Sequence, residues 1–274
     1  MSRKIILSRK GFDSSNGGMP SPILPDGTLL SLPIPFTEET QLYDELFYKD
    51  QSYKDIILEL NPRFRDQRCH LDPDIYKNIV KVRDKEWNAC FGQSHAAQTH
   101  LENSGVDVGD IFLFFGWYKQ TEFVNNKLKF VRGAPDLQVI FGYLEVGEKC
   151  TSDKDIDKLV WHPHSKGPSR FYRPNAIYTA TKFLMNTNLP GYGTFKISKD
   201  LILTKEGLSR AKWNLPNVFR GKPMTYHSDK SQKEDYFQSA MIGQEFVVES
   251  DSEITSWVLD IIKRHIVEKQ KLDT

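Results

Sequence analysis

The sequence predicts an α+β fold: a mixed, curved or partly closed β-sheet with flanking helices and a C-terminal helix. Three observations predict it. Two long apolar runs, "IFLFFGWY" and "LQVIFGYLEV", have strand character, and each is interrupted by a glycine, Gly116 and Gly142. The closing stretch "DSEITSWVLDIIKRHIVEKQKL" places Ile254, Trp257, Val258, Ile261, Ile262 and Ile266 on one apolar face at helical spacing. Between them, extended and helical patterns alternate irregularly, with no internal repeat and no clean linker. One elaborated domain over residues 1–274 is the economical reading.

Taken in order, "RKIILS" is a short buried strand, followed by the polar loop "RKGFDSSNGG" in which Phe12 is the one apolar anchor. Five prolines from Pro20 to Pro35 then stiffen an extended excursion, because proline fixes φ and cannot donate to a ladder. "TEETQLYDELFYK" has a helical stripe of Leu42 with Leu46 and Tyr43 with Phe47, and Thr37 can cap it. "SYKDIILEL" ends at Asn61-Pro62, and residues 61–90 are ambiguous, with a short helix in "DPDIYKNIV". "GQSHAAQTHLENSG" is a helix with Gly105 as its C-cap. "SDKDIDKLVWHPH" is a short helix with an extended exit, "NAIYTATKFL" a strand, and "GYGTFKISKDLILT" two short strands. "SRAKWNLPNVF" is an arm stopped by proline, and residues 221–240 are polar and loosely ordered.

Composition excludes several classes. The chain has 39% apolar and 27% charged residues, which argues against intrinsic disorder. Its net charge of +1 supplies no global field toward nucleic acid or anionic membrane, so any polyanion site has to be local. Cys69, Cys90 and Cys150 are an odd, sparse set, unlike a disulfide scaffold. The N-terminus is charged and no apolar run approaches the length of a membrane helix, so a cytoplasmic protein with no membrane partner is expected.

Four groups carry chemistry. In the first loop Arg9 and Lys10 are anion donors, Asp13 is a candidate base, and Gly17 and Gly18 leave amides open to an oxyanion. The alternative is a plain surface loop with Asp13 paired to Arg9. In "FGQSHAAQTH", Gln93 and His95 stand at a helix start, His95 as a general base or merely as a hydrogen-bonded histidine. In "WHPHSKGPSR", His162 and His164 fall on one side of an extended segment. Without CxxC or HExxH no metal ligand is assigned; His164 is read as part of a ligand cleft, and no cofactor is identified. Arg210, Lys212 and Trp213 alternate cation and ring, a pattern suited to nucleotide contact, and Glu245 is a candidate catalytic carboxylate or a salt-bridge partner.

"ILSRKGFDSSNGGMPSPILPDG", "HLDP", "FGQSHAAQTHL", "GDIFLFFGWY", "VIFGYLEVGE", "LTKEGLSRAKWNLP" and "GQEFV" together resemble the nucleotide modification associated domain 3 family, over about residues 4–248. The resemblance implies bacterial or phage systems that modify bases in nucleic acid, with no settled reaction. It implies a polar site drawing on Arg9, Lys10, Asp13, Gln93, His95, His164, Arg210 and Glu245. The family pattern often has glycine where this chain has Ser94 and His95, which bears against a catalytic His95. Residues 105–150 are also similar, more loosely, to a PUA or ASCH-like strand core.

Three functions stay open on these grounds. The first is a nucleic-acid or nucleotide binding protein associated with base modification. The second is an enzyme of a nucleotide or sugar-phosphate metabolite. The third is a non-catalytic partner among the proteins of a modification or defence system. All depend on distant polar stretches folding together around an anion.

Overall fold

The opening run forms strand β1 (Lys4–Arg9), in which Ile5, Ile6, Leu7 and Ser8 are all buried. Unbroken burial is what a strand needs when both of its faces are covered. The structure, a computed structural model, describes residues 3–240 and 243–267. After β1 come β2 (Ser21–Ile23), a small hairpin of β3 (Phe47–Tyr48) and β4 (Gln51–Ser52), and helix α1 (Tyr53–Leu60). They are followed by β5 (Cys90–Ser94), helix α2 (His95–Asn103), β6 (Ile111–Val124), β7 (Lys127–Phe130) and β8 (Leu137–Cys150). The last part contains α3 (Asp153–Ile156), β9 (Asn175–Ala180), β10 (Tyr192–Thr194), β11 (Lys212–Trp213), β12 (Phe237–Gln238), β13 (Glu245–Glu249) and α4 (Ser252–His265).

Among the described residues nine strands make one mixed, open sheet in the order β13-β1-β6-β8-β9-β5, with β2 and β7 also on β6 and β10 on β8. β1 and β2 run parallel to β6, and the other pairs of the sheet are antiparallel. The fold is therefore α+β, as expected. The two glycine-interrupted runs became its long central strands, and they slip register between Phe114 and Phe115 at a bulge, which bends a sheet locally.

Register explains the polar loop. β1 ends with Arg9 opposite Phe115, and β2 begins with Ser21 opposite Tyr118. Only Gly116 and Trp117 of β6 lie between them, while the chain uses residues 10–20 to cross the same gap. The excess has to leave the sheet. Lys10 N–H still bonds Phe115 O at 2.8 Å, and a Cβ on Gly116 would meet Lys10 O at 2.6 Å, so glycine there lets the loop leave close to the strand. Phe12 then turns inward, 1% exposed, against Phe64 and the edge of Tyr43 at ring separations of 5.8 and 6.3 Å. These rings belong to a second apolar cluster with Ile56 and Ile57 of α1, apart from the main cluster on the sheet.

Helix α4 packs as its spacing predicts: Ile254, Val258, Ile261 and Ile262 are buried. Asp251 caps it by accepting from Glu253 N and Ile254 N at 3.1 and 2.9 Å. Helix α1 is capped by Ser52, which accepts from Asp55 N at 3.1 Å. All three cysteines are free and buried. No helix among the described residues is long and apolar enough to cross a membrane.

Several local expectations are corrected. The stretch expected to be helical at 37–49 forms a single 3-10 turn, Tyr43–Glu45, followed by the short strand β3. Its backbone bonds distant chain instead, with Tyr43 N–H on Gln67 O, while the Tyr43 hydroxyl donates to Pro33 O at 2.7 Å. The exit after α3 is not extended but forms a 3-10 turn over Pro163–Ser165. Only β10 of the two short strands expected at 191–204 forms; a 3-10 turn, Lys199–Leu201, replaces the second. Residues 221–240 are more ordered than their polarity suggests: Met224 and Phe237 are buried, and Phe237 pairs with Trp213 across β11 and β12.

Candidate functional site

A cavity of about 510 Å³ lies beneath the opening loop, within the range typical of small-molecule sites. It is walled by the loop from Arg9 to Asn16, by the end of β5, by His70, Asp72 and His164, and by the arm carrying Arg210.

On one side the groups are cationic. Arg9 Nη2 donates to Ala240 O at 2.7 Å, and its guanidinium lies 5.7 and 5.6 Å from the rings of Phe115 and Phe246. Arg210 arrives from 196 positions away to donate to Ser14 Oγ at 2.9 Å, with its guanidinium carbon over the Trp117 ring, 3.8 Å from the ring centre. Burial lowers the Arg9 pKa from its ordinary value and the charge of Arg210 adds to the effect, against the opposing pull of Asp13 and Glu245. Arg210 is lowered too, by burial, with Asp136 and Asp13 opposing. An arginine stays charged under such pressure, so the lowering marks a place where positive charge is held at a cost.

Lys10 is spoken for. Its ammonium bonds Glu245 Oε1 at 2.9 Å and lies 4.3 Å from the Phe91 ring centre. Gln93 Nε2 donates to the same oxygen at 2.7 Å, which leaves Glu245 Oε2 buried with no hydrogen-bond partner among the described residues. Glu245 is 1% exposed and lies behind Lys10 and Gln93, which reach the cavity where it does not.

The opposite wall is a network of imidazoles and carboxylates. Asp72 Oδ1 accepts from Gly92 N–H at 2.9 Å and from His162 Nε2 at 3.3 Å. The His162 tautomer follows from its other nitrogen, which accepts the His164 backbone N–H at 3.2 Å. His164 Nδ1 bonds Asn175 Oδ1 at 2.7 Å, and Asn175 is oriented by its own amide donating to His164 O at 3.0 Å. His70 Nδ1 donates to Glu39 Oε1 at 2.9 Å, and Ser169 Oγ donates to that same oxygen at 3.0 Å. Burial alone raises the Asp72 pKa, but the His162 hydrogen bond and the nearby histidine charges outweigh it and hold the group at about 2. Burial, with His70 adding to it, depresses His164 to about 3 against the pull of Asp72, so its ring is neutral at ordinary pH. A Cβ on Gly92 would lie 2.4 Å from His164 and 2.6 Å from His162, so this packing requires glycine. His70, Asp72 and His164 are the residues here with the chemistry to hold a metal ion.

The family model described as nucleotide modification associated domain 3 matches residues 4–249. The chain belongs to that family. The match spans both cavity walls and every strand of the sheet. No curated protein and no solved structure matches the chain.

Against this geometry the residues singled out by sequence separate clearly. Arg9, Lys10, Asp13, Gln93, His164, Arg210 and Trp213 all border the one cavity. Asp13 is occupied within its loop, where Oδ1 accepts from Ser15 N and Asn16 N at 2.6 and 2.7 Å. Trp213 is 1% exposed and packs against Phe115, Phe237 and Phe246, so it is a wall of the core, and the ring that meets Arg210 is Trp117. His95 is exposed at the start of α2, with φ of 54°, and its ring sits 4.4 Å from that of Tyr172. His162 stands behind the wall as the donor to Asp72. Sequence reasoning missed Glu39, Asp72, His70 and Trp117. "HLDP" contains two of these and carried the family resemblance, yet nothing in its spacing says that a ring from residue 164 closes over it.

Proposed function

We propose that the cavity binds a nucleotide, free or as one unit of a nucleic-acid strand, and that this binding serves base modification. The observation that carries the reading is the convergence of Arg9 and Arg210 in one cavity with aromatic walls. Two desolvated guanidiniums that repel each other are stabilised by a phosphate between them, and each presents a planar fork suited to its oxygens. Trp117 and Tyr172 supply ring faces of the kind on which bases stack. The family's association with nucleotide modification supports the same class of ligand. In this reading Lys10 is not a phosphate ligand, because Glu245 already holds it; Glu245 positions Lys10 and Gln93.

Titration of a nucleoside monophosphate and a short single-stranded DNA into the full chain, Arg9→Ala and Arg210→Ala tests it. Each arginine removes a charge-assisted contact of roughly 1.5–3 kcal/mol, so affinity falls about 10- to 150-fold per variant. Equal, weak affinity in all three proteins overturns the reading. A second reading, an enzyme of a nucleotide or sugar-phosphate metabolite, is favoured by the net charge of +1, which provides no stripe for a long polyanion. Monophosphate binding with no oligonucleotide binding selects it.

A further inference from the structure

We propose that His70, Asp72 and His164 bind one divalent transition-metal cation at the cavity wall, through the Nε2 atoms of both histidines and a carboxylate oxygen of Asp72. One ligand atom from each residue lies within 4.8 Å of those of the other two, and His70 Nε2 is 3.9 Å from Asp72 Oδ2. More telling is what each residue has left over. The Nδ1 of His70 is committed to Glu39 and the Nδ1 of His164 to Asn175, both as donors to an oxygen. In the neutral ring, the form that binds a metal, each Nε2 then carries a free lone pair. Asp72 Oδ1 is taken by Gly92 N–H and His162, which leaves Oδ2 without a donor. Three acceptors thus converge with no protein donor among the described residues to satisfy them, and acceptors without donors call for a cation.

The surroundings are built the way metal ligands are held. A carboxylate or amide oxygen on the distal nitrogen fixes the tautomer and orientation of each ring, and Ser169 in turn holds Glu39. Two imidazoles and one carboxylate suit iron(II) or zinc and leave coordination positions open, here toward the cavity that all three residues line. The ligands come from two segments about ninety positions apart, joined by the His162 contact to Asp72, which accounts for the lack of a local motif. The inference is independent of the nucleotide reading, since metal content is measured with no nucleotide present.

The test strips the purified full-length chain with a chelator and titrates it with Co²⁺, followed by its visible absorption. One saturable equivalent is expected, with binding lost in His70→Ala and His164→Ala and unchanged in Arg210→Ala. Glu39→Gln, which keeps the volume of the side chain, weakens Co²⁺ about 10- to 100-fold while leaving the circular dichroism spectrum and melting curve unaltered. Competition with Fe²⁺ and Zn²⁺ identifies which of the two the site holds more tightly. Absence of saturable Co²⁺ binding, Co²⁺ affinity in His164→Ala equal to that of the unaltered chain, or displacement by Mg²⁺ as readily as by Zn²⁺ overturns the proposal.

Discussion

At Gly92 a single methyl group would intrude on two histidine rings at once, at 2.4 and 2.6 Å. Both rings are held by hydrogen bonds, His164 to Asn175 and His162 to Asp72, so neither can yield freely. Gly92→Ala is expected to destabilise the fold by about 1–3 kcal/mol, the usual range for overpacking, as read by urea unfolding. A loss under a few tenths of a kcal/mol would mean that the rings move aside. At this scale the sequence marked residue types better than it marked partners. Arg210 was legible as a site cation because it alternates with Lys212 and Trp213 in a stretch that also carried the family resemblance. Its aromatic partner was not: the neighbour in sequence, Trp213, went into the core, and Trp117 took its place. Asp72 was invisible as a site residue, because its role is set entirely by His162 and Gly92.

The opening loop owes its position to two strands of the sheet. β1 and β2 pair with β6 with two of its residues between them, and the loop that joins them is pinned near its start by Phe12. Phe12→Ala removes a fully buried ring and should cost about 3–5 kcal/mol. Hydrogen exchange gives the sharper readout: amides at residues 10–20 should lose protection more than those of β8, which contributes no residue to the second apolar cluster. Equal loss across both would show that the loop is not a separate unit. Elements with a strong apolar signal were legible. Helix α4 appears where its apolar spacing put it, and strands β6 and β8 where their unbroken apolar runs did, since a face or a stretch that must be buried is written in the local pattern. The segment at 37–49 has an equally good stripe and is not a helix, because pairing with residues 67, 68 and 80 satisfies backbone groups that a helix would have used.

Over the whole molecule, charge is nearly balanced, and among the described residues the arginines that border the cavity are Arg9 and Arg210, beside a Lys10 held by Glu245. Binding of single-stranded DNA should therefore show a shallow salt dependence, with a slope of log K against log salt near −1.4 for two phosphate contacts. Lengthening the strand beyond a few nucleotides should add little affinity. A slope several times steeper would place the binding surface elsewhere on the protein.

The sequence by itself determined the α+β class, the long central strands and the terminal helix, because each depends on burial patterns repeated within one short stretch. It also marked Arg9, Lys10, Asp13, Gln93, His164 and Arg210 among the polar residues that border the cavity, since charged and aromatic side chains set among glycines and prolines stand out locally. Only the tertiary structure decided which of them meet. The arginines come together across 201 positions, Arg9 to Arg210, and the histidine wall closes between residues 70 and 164. Such meetings are set by strand order and register, which depend on the whole packed sheet and leave no periodic trace in any one segment.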